Sequence, residues 1–218
     1  MRNVRLFYKK GGPLRFVSHL DMSRCMTRIL KLSGLEIWHT EGFHKHPYIA
    51  FALPLSLGFF SEYEIMDFRL TDDDISLNAA KQKISEVCPE GIEVIDLREP
   101  VEKPGKIGFA DFKLLFLPES GADTGSINEF FSKEQILITK KSKKGIITQT
   151  DIKPKIKNVL ISQSEEGIAL QLRLPAGSTD NINPKLITDC YFDYIKSKRP
   201  FCRITRTMLL TLDERIFV

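Results

Sequence analysis

Between Glu99 and Gly108 the chain reads EPVEKPGKIG, and this stretch constrains the fold more than any other. Two prolines and two glycines among charged residues support neither a helix nor a central strand. The break divides 218 residues into nearly equal parts, 1–98 and 109–218. Each part is large enough for a small domain, and 42 % apolar residues supply a core for both.

Periodicity gives both parts the same order of elements. In the first, Val4–Lys9 alternates as a strand with Val4, Leu6 and Tyr8 on one face. A helix follows from about His19 to Leu32, with Ser18 as N-cap and Asp21 in the capping-box position. Its buried stripe is Met22, Cys25, Met26, Ile29 and Leu32 or Ser33, and Gly34 ends it. Glu36–Thr40 and Glu62–Leu70 read as strands. Thr71–Asp74 caps a second helix with Ala80, Ile84 and Val87 on its apolar side, and Ile92–Arg98 closes the half. The order β-α-β-β-α-β is the split βαβ, or ferredoxin-like, pattern. The second half runs Asp111–Leu117, a short helix opened by a capping box at Ser126–Glu129, Val159–Ser162, Ile168–Leu174, a helix started by Asn183-Pro184, and Cys202–Leu212. A hairpin of Gln135–Lys140 and Ile146–Ile152, turning at Ser142–Gly145, is inserted. The expectation is an α+β protein of two ferredoxin-like halves with antiparallel sheets. Tyr48–Phe60 (YIAFALPLSLGFF) is too apolar for a solvent loop, and reads as an extra strand or a packed loop.

No run of about 18 apolar residues exists, and the basic start MRNVRLFYKK leads into no apolar signal core. Four scattered cysteines (Cys25, Cys88, Cys190, Cys202) fit no metal-ligand spacing and read as reduced thiols, so a cytoplasmic protein without a membrane partner is expected. Residues 1–100 hold 13 Lys and Arg against 14 Asp and Glu, and the remainder 19 against 14. The basic second half is compatible with an acidic partner such as RNA, and equally with an ordinary solvated surface.

Three groups of residues could carry chemistry. Arg15, Ser18, His19, Asp21, Arg24 and Arg28 surround the start of the first helix. Asp21, Arg24 and Arg28 share one helical face, and Lys31 extends the row. Free backbone N–H groups and the dipole make such a helix start an anion site. Spacing alone favours a solvated face with Asp21–Arg24 and Asp21–Arg28 ion pairs, each worth little. The second group is His39–Pro47 (HTEGFHKHP), and all four histidines lie between positions 19 and 46. His44 and His46 with His39 or Glu41 could hold a divalent metal, although no zinc spacing is present. A histidine here could instead act as a general acid or base, or stack on a base and contact a phosphate, and the plain alternative, a polar loop with no ligand, stands beside these. The third is Ser61–Glu64 (SEYE), where Glu62 and Glu64 would share a strand face and receive the helix arginines. A Gly-rich phosphate loop, a G-x-S-x-G elbow, an H-E-x-x-H helix and a three-cysteine cluster motif are all missing, so neither a metal nor a cofactor is expected.

The runs Leu14–Asp21 (LRFVSHLD) with Arg24 and Arg28, Glu41–Pro47, Ala52–Leu55, Leu57-Gly58 and Ser61–Glu64 resemble the radical-SAM-linked family of uncharacterised bacterial proteins. Asp151–Pro154, Leu174–Ser178 with Asn183-Pro184, and Ile204–Arg206 extend the resemblance over nearly the whole chain. The family more often has a small polar residue where this chain has His44. It occurs beside, or fused to, radical S-adenosylmethionine proteins. The resemblance therefore implies an accessory module for such an enzyme, and the family's company with RNA-maturation genes implies RNA as substrate. On that reading Arg15, Arg24 and Arg28 hold phosphates with Ser18 and His19, while Phe43, His46 and Tyr48 contact bases. Asp21, Glu62 and Glu64 would support them, and no DNA is expected. A pure protein adaptor docking through Tyr48–Phe60, and a metal-free RNA endonuclease using His19 or His46, are the other two readings.

Overall fold

A computed structural model describes residues 1–141, 147–177, 180–198 and 200–218. The class is α+β, with four α-helices among the described residues. Two compact units emerge, Met1–Lys106 with Phe217–Val218, and Ile107–Ile216.

The first unit holds β1 (Arg2–Lys10), α1 (His19–Leu32), β2 (Ile49–Phe51), β3 (Phe60–Leu70), α2 (Leu77–Glu86) and β4 (Ile92–Arg98). The strands lie in the order β4-β1-β3-β2, each antiparallel to its neighbour. Val4, Leu6 and Tyr8 of β1 and Met66, Phe68 and Leu70 of β3 pack against Met22, Met26, Ile29 and Leu30 of α1 and Ala80 and Ile84 of α2. Each fully buried side chain of this size contributes about 1.5–3 kcal/mol.

The other face of β1 is also buried, which simple alternation does not announce. Arg5 is fully buried there. It makes a bidentate pair with its register partner Asp67 (2.7 and 2.8 Å) and donates to the carbonyls of Val218 (2.8 Å) and Glu102 (2.9 Å). The Phe217 ring covers it at 4.6 Å.

Several expected boundaries move. Glu36–Thr40 is not a strand: it makes only isolated bridges, Ile37 to Leu70 and His39 to Pro47. The second strand comes instead from the apolar Tyr48–Phe60 segment, as Ile49–Phe51. The cap of α2 is Ser76, whose hydroxyl accepts from the Ala79 N–H at 3.1 Å, rather than Thr71–Asp74. The register shifts between Tyr8, opposite Glu64, and Lys10, opposite Ser61, so β3 carries an extra residue there. That bulge leaves Glu62 exposed while Glu64 is buried, and the two carboxylates do not act as a facing pair.

The second unit holds β5 (Ile107–Phe116), α3 (Thr124–Ser132), β6 (Leu137–Lys141), β7 (Ile147–Asp151), β8 (Lys157–Ser164), β9 (Gly167–Pro175), α4 (Pro184–Tyr194) and β10 (Cys202–Thr211). Its main strands run β10-β5-β9-β8, again all antiparallel, with β6 and β7 as a separate two-stranded pair. The expected turn at Ser142–Gly145 lies outside the described residues, as does Ser178. The cap of α3 is Asp123, which forms a reciprocal capping box with Ser126, one turn earlier than the expected Ser126–Glu129 box. Between β5 and β9 the register partners Asp111 and Arg173 form a bidentate pair at 2.7 and 2.9 Å. The two units thus share strand order and a cross-strand Arg–Asp clamp between first and third strands, with the charges exchanged.

Candidate functional site

The start of α1 is built as its sequence requires. The Ser18 hydroxyl accepts from the Asp21 N–H (3.2 Å) and donates to the Asp21 carboxylate (2.7 Å). This hydrogen bond, with Arg24 adding to it, holds the Asp21 carboxyl below its ordinary range. Arg24 pairs with Asp21 at 3.1 Å, both well exposed. Asp21 has no such pair with Arg28, which is exposed with Lys31 further along the helix. The arginines do not turn to Glu62 or Glu64.

Arg15 lies in a 3-10 turn, Gly12–Phe16, that leads into the helix. Its guanidinium donates to the Gly12 carbonyl at 3.1 Å and lies over the rings of Phe16 (4.3 Å) and Phe60 (5.0 Å). The Gly58 N–H donates to the Arg15 carbonyl at 2.7 Å, tying the turn to the loop before β3. Gly91 anchors its other side. The Gly11 N–H donates to the Gly91 carbonyl at 2.9 Å, and a Cβ on Gly91 would stand 2.6 Å from the Gly11 oxygen. At φ +94° Gly91 also has a backbone that other residues rarely adopt.

His19, the first residue of α1, is exposed and meets the Phe51 ring edge-on at 5.0 Å. It lines a small pocket with Tyr8, Lys10, Met22, Phe51, Pro54, Leu55 and Glu64. Lys10 (4 % exposed) and Glu64 (3 %) are both buried. Neither is without a partner in the protein.

The His-rich segment forms a second group. The Thr40 N–H donates to the His46 carbonyl at 2.9 Å and the Tyr48 N–H to the Trp38 carbonyl at 3.1 Å, closing the segment on itself. His39 Nδ1 lies 2.8 Å from the Ile37 carbonyl, and His46 Nδ1 3.1 Å from that of Pro47. Tyr48 and Trp38 both stack on the Arg69 guanidinium, at 4.5 and 5.0 Å. Phe43 is fully out in solvent and His44 is exposed. Among the described residues no three His, Cys, Asp or Glu side chains converge as a metal site requires.

These two groups do not merge into one pocket. Phe60, which stacks on Arg15, and Arg69, which stacks on Tyr48, are nine residues apart on β3. At about 3.3 Å per residue that is roughly 30 Å. Glu64 and Arg69 also differ by an odd number of positions, so they occupy opposite faces. The sequence model of the family described as an uncharacterised protein conserved in bacteria (DUF2344) matches residues 3–184. The chain belongs to that family. No curated protein matches it. The DUF2344 match takes in all of the first unit's helices and strands from Asn3 onward, with every residue of both groups, and ends at the first residue of α4.

Lys10, Tyr8, Phe51, Phe60, Trp38 and Arg69 are members of these groups that the motifs did not single out. For Lys10 a signal existed, in the same form as for Glu64, which the sequence had already marked. Lys10 occupies a core-face position of β1, two after Tyr8, and Glu64 begins the core-face series Glu64, Met66, Phe68, Leu70 of β3. A charge at a buried position of an alternating strand costs stability unless something uses it.

Proposed function

We propose that the chain is a recognition module that holds single-stranded RNA for a partner radical S-adenosylmethionine enzyme, on a frame of two ferredoxin-like units. The observation that carries the RNA reading is the Arg15 guanidinium between Phe60 and the exposed Phe16 ring, at the head of a helix with exposed Arg24 and Arg28. Cations give a strand's phosphates their sites, and an exposed ring beside them gives a base a stacking platform. The ferredoxin-like reading is supported by the β4-β1-β3-β2 and β10-β5-β9-β8 orders, in which the third strand of each unit is inserted between the first two. The partner enzyme is carried by the resemblance of the LRFVSHLD and EGFHKHP runs. Binding of labelled single-stranded RNA at rising salt tests the reading: affinity falls with salt if Arg15, Arg24 and Arg28 hold phosphates. Affinity purification from the native bacterium tests the partner, and recovery of no radical enzyme would remove that part.

A second reading has its own observation. Phe16, Leu20 and Leu57 are each more than half exposed, and the Gly58–Arg15 hydrogen bond ties Leu57's loop to Phe16's turn. An adaptor would dock there through a protein partner, and its binding would persist at high salt.

A further inference from the structure

We infer that Arg69, with Trp38, Tyr48 and Asn3 around it, binds a phosphate monoester, at a site separate from the arginines of α1 and independent of the RNA reading. The contrast with two other arginines carries the inference. Arg5 faces Asp67 across the strands and Arg173 faces Asp111, and in each pair both carboxylate oxygens take the guanidinium fork. The register partner of Arg69 is Asn3. Its amide oxygen accepts from Arg69 Nε at 2.9 Å and brings no charge. Asp67, two positions along the same face of β3, already gives both its oxygens to Arg5. Among the described residues Arg69 has no carboxylate partner, and its two terminal nitrogens have no hydrogen bond.

The fork is also held in place. The guanidinium lies over the Tyr48 ring at 4.5 Å and the Trp38 ring at 5.0 Å, and the two rings meet at 6.0 Å. Two rings and an amide fix its plane before a ligand arrives, which lowers the entropy cost of binding. The polar groups beside it are suited to an anion. The Trp38 indole N–H, the Tyr48 hydroxyl and the Asn3 side-chain NH2 can all donate, and none has a hydrogen-bond partner among the described residues. Arg69, Trp38 and Tyr48 are half-buried and Asn3 is exposed, so a ligand reaches them from solvent. Magnitudes choose the anion. A half-exposed arginine gains little from a singly charged carboxylate. A phosphate monoester carries nearly two charges at neutral pH and more acceptor oxygens, enough for the fork and for the donors next to it.

Trp38 is the chain's only tryptophan, so intrinsic fluorescence of the full chain reports this site without a label. Inorganic phosphate, titrated at constant ionic strength, changes the Trp38 emission saturably, and acetate requires about tenfold or more higher concentration for the same change. Uridine 5′-monophosphate gives the same saturable change, and the tighter of the two phosphates names the source, a free ion or the end of a nucleotide. Asn3→Asp sets a carboxylate against Arg69 as Asp67 is set against Arg5. It keeps or raises the melting temperature and weakens phosphate binding by about tenfold or more. Arg69→Lys keeps the charge but loses the planar fork, and weakens binding as well. A response to phosphate that does not saturate, acetate binding as tightly as phosphate, or equal phosphate affinity in the unaltered chain and both variants overturns the site. A uridine strand without a terminal phosphate that binds here as tightly as the monophosphate overturns the choice of a monoester. Arg15, Arg24 and Arg28 are unaltered in every arm, so the RNA reading stands or falls on its own salt titration.

Discussion

At the scale of single residues, the account separates groups that hold the fold from groups that hold a ligand. Arg5 belongs to the first kind. Asp67→Ala leaves its guanidinium buried without its bidentate partner, and a loss of about 3–5 kcal/mol is expected in urea unfolding; a loss under 1 kcal/mol would mean that the Val218 and Glu102 carbonyls and the Phe217 ring suffice. Asp21 is exposed, and its lowered pKa is first the work of the Ser18 hydroxyl. A depressed carboxyl stabilises the fold at neutral pH, and that contribution is lost as pH falls through its folded pKa. Ser18→Ala should therefore raise the Asp21 pKa in an NMR titration and cost about 1 kcal/mol through the lost cap. Burial pushes the Cys88 thiol up to about 11, so at pH 8 about one molecule in a thousand carries the reactive thiolate. Iodoacetamide should label Cys88 more slowly in the native protein than in urea, and equal rates would contradict the raised pKa of this half-buried thiol. The shared face of Asp21, Arg24 and Arg28 was legible in the sequence because helical spacing and the Ser18 cap fix it. The Lys10–Glu64 recess was not, since a bulge in β3 decides which of Glu62 and Glu64 turns inward.

At the scale of elements, α1 came out of the sequence at its true ends because cap, stripe and Gly34 agreed. The strand after it did not. Glu36–Thr40 has the composition of a strand, yet the ladder on β3 at Met66–Phe68 is taken by Ile49–Phe51 and Ile37 makes only an isolated bridge to Leu70, so tertiary pairing chooses between two candidate segments. The caps of α2 and α3 were displaced for a related reason. Thr71–Asp74 and Ser126–Glu129 contain good capping residues, but helix starts are decided by where the apolar stripe meets the sheet. One glycine ties an element to the site. Gly91→Ala puts a methyl group 2.6 Å from the Gly11 oxygen in a backbone of φ +94°. It should destabilise the first unit by more than about 1 kcal/mol and weaken RNA binding by shifting the turn that carries Arg15. Unchanged stability and unchanged binding would show that the Gly11–Gly91 corner does not position that turn.

At the scale of the whole molecule, Pro and Gly interrupt both periodicities at once within Glu99–Gly108, and the two compact units divide in sequence between Lys106 and Ile107. What the sequence concealed is that Phe217–Val218 belong with the first unit, where the Phe217 ring is fully buried on Arg5. No helix among the described residues is long and apolar enough to cross a membrane. The function proposed for the chain rests on Arg15, Arg24 and Arg28 of the first unit, and its ionic character is its most direct consequence. Each phosphate held on a single strand contributes about −0.7 to the slope of log affinity against log salt. Titration of a mixed single-stranded RNA pool across salt concentrations, with the unaltered chain and with Arg24→Ala, measures it. The account predicts a slope near −2 for about three contacts, flattened by about one contact in Arg24→Ala with weaker binding at every salt. No binding at low salt, or an Arg24→Ala protein that keeps both affinity and slope, would contradict it.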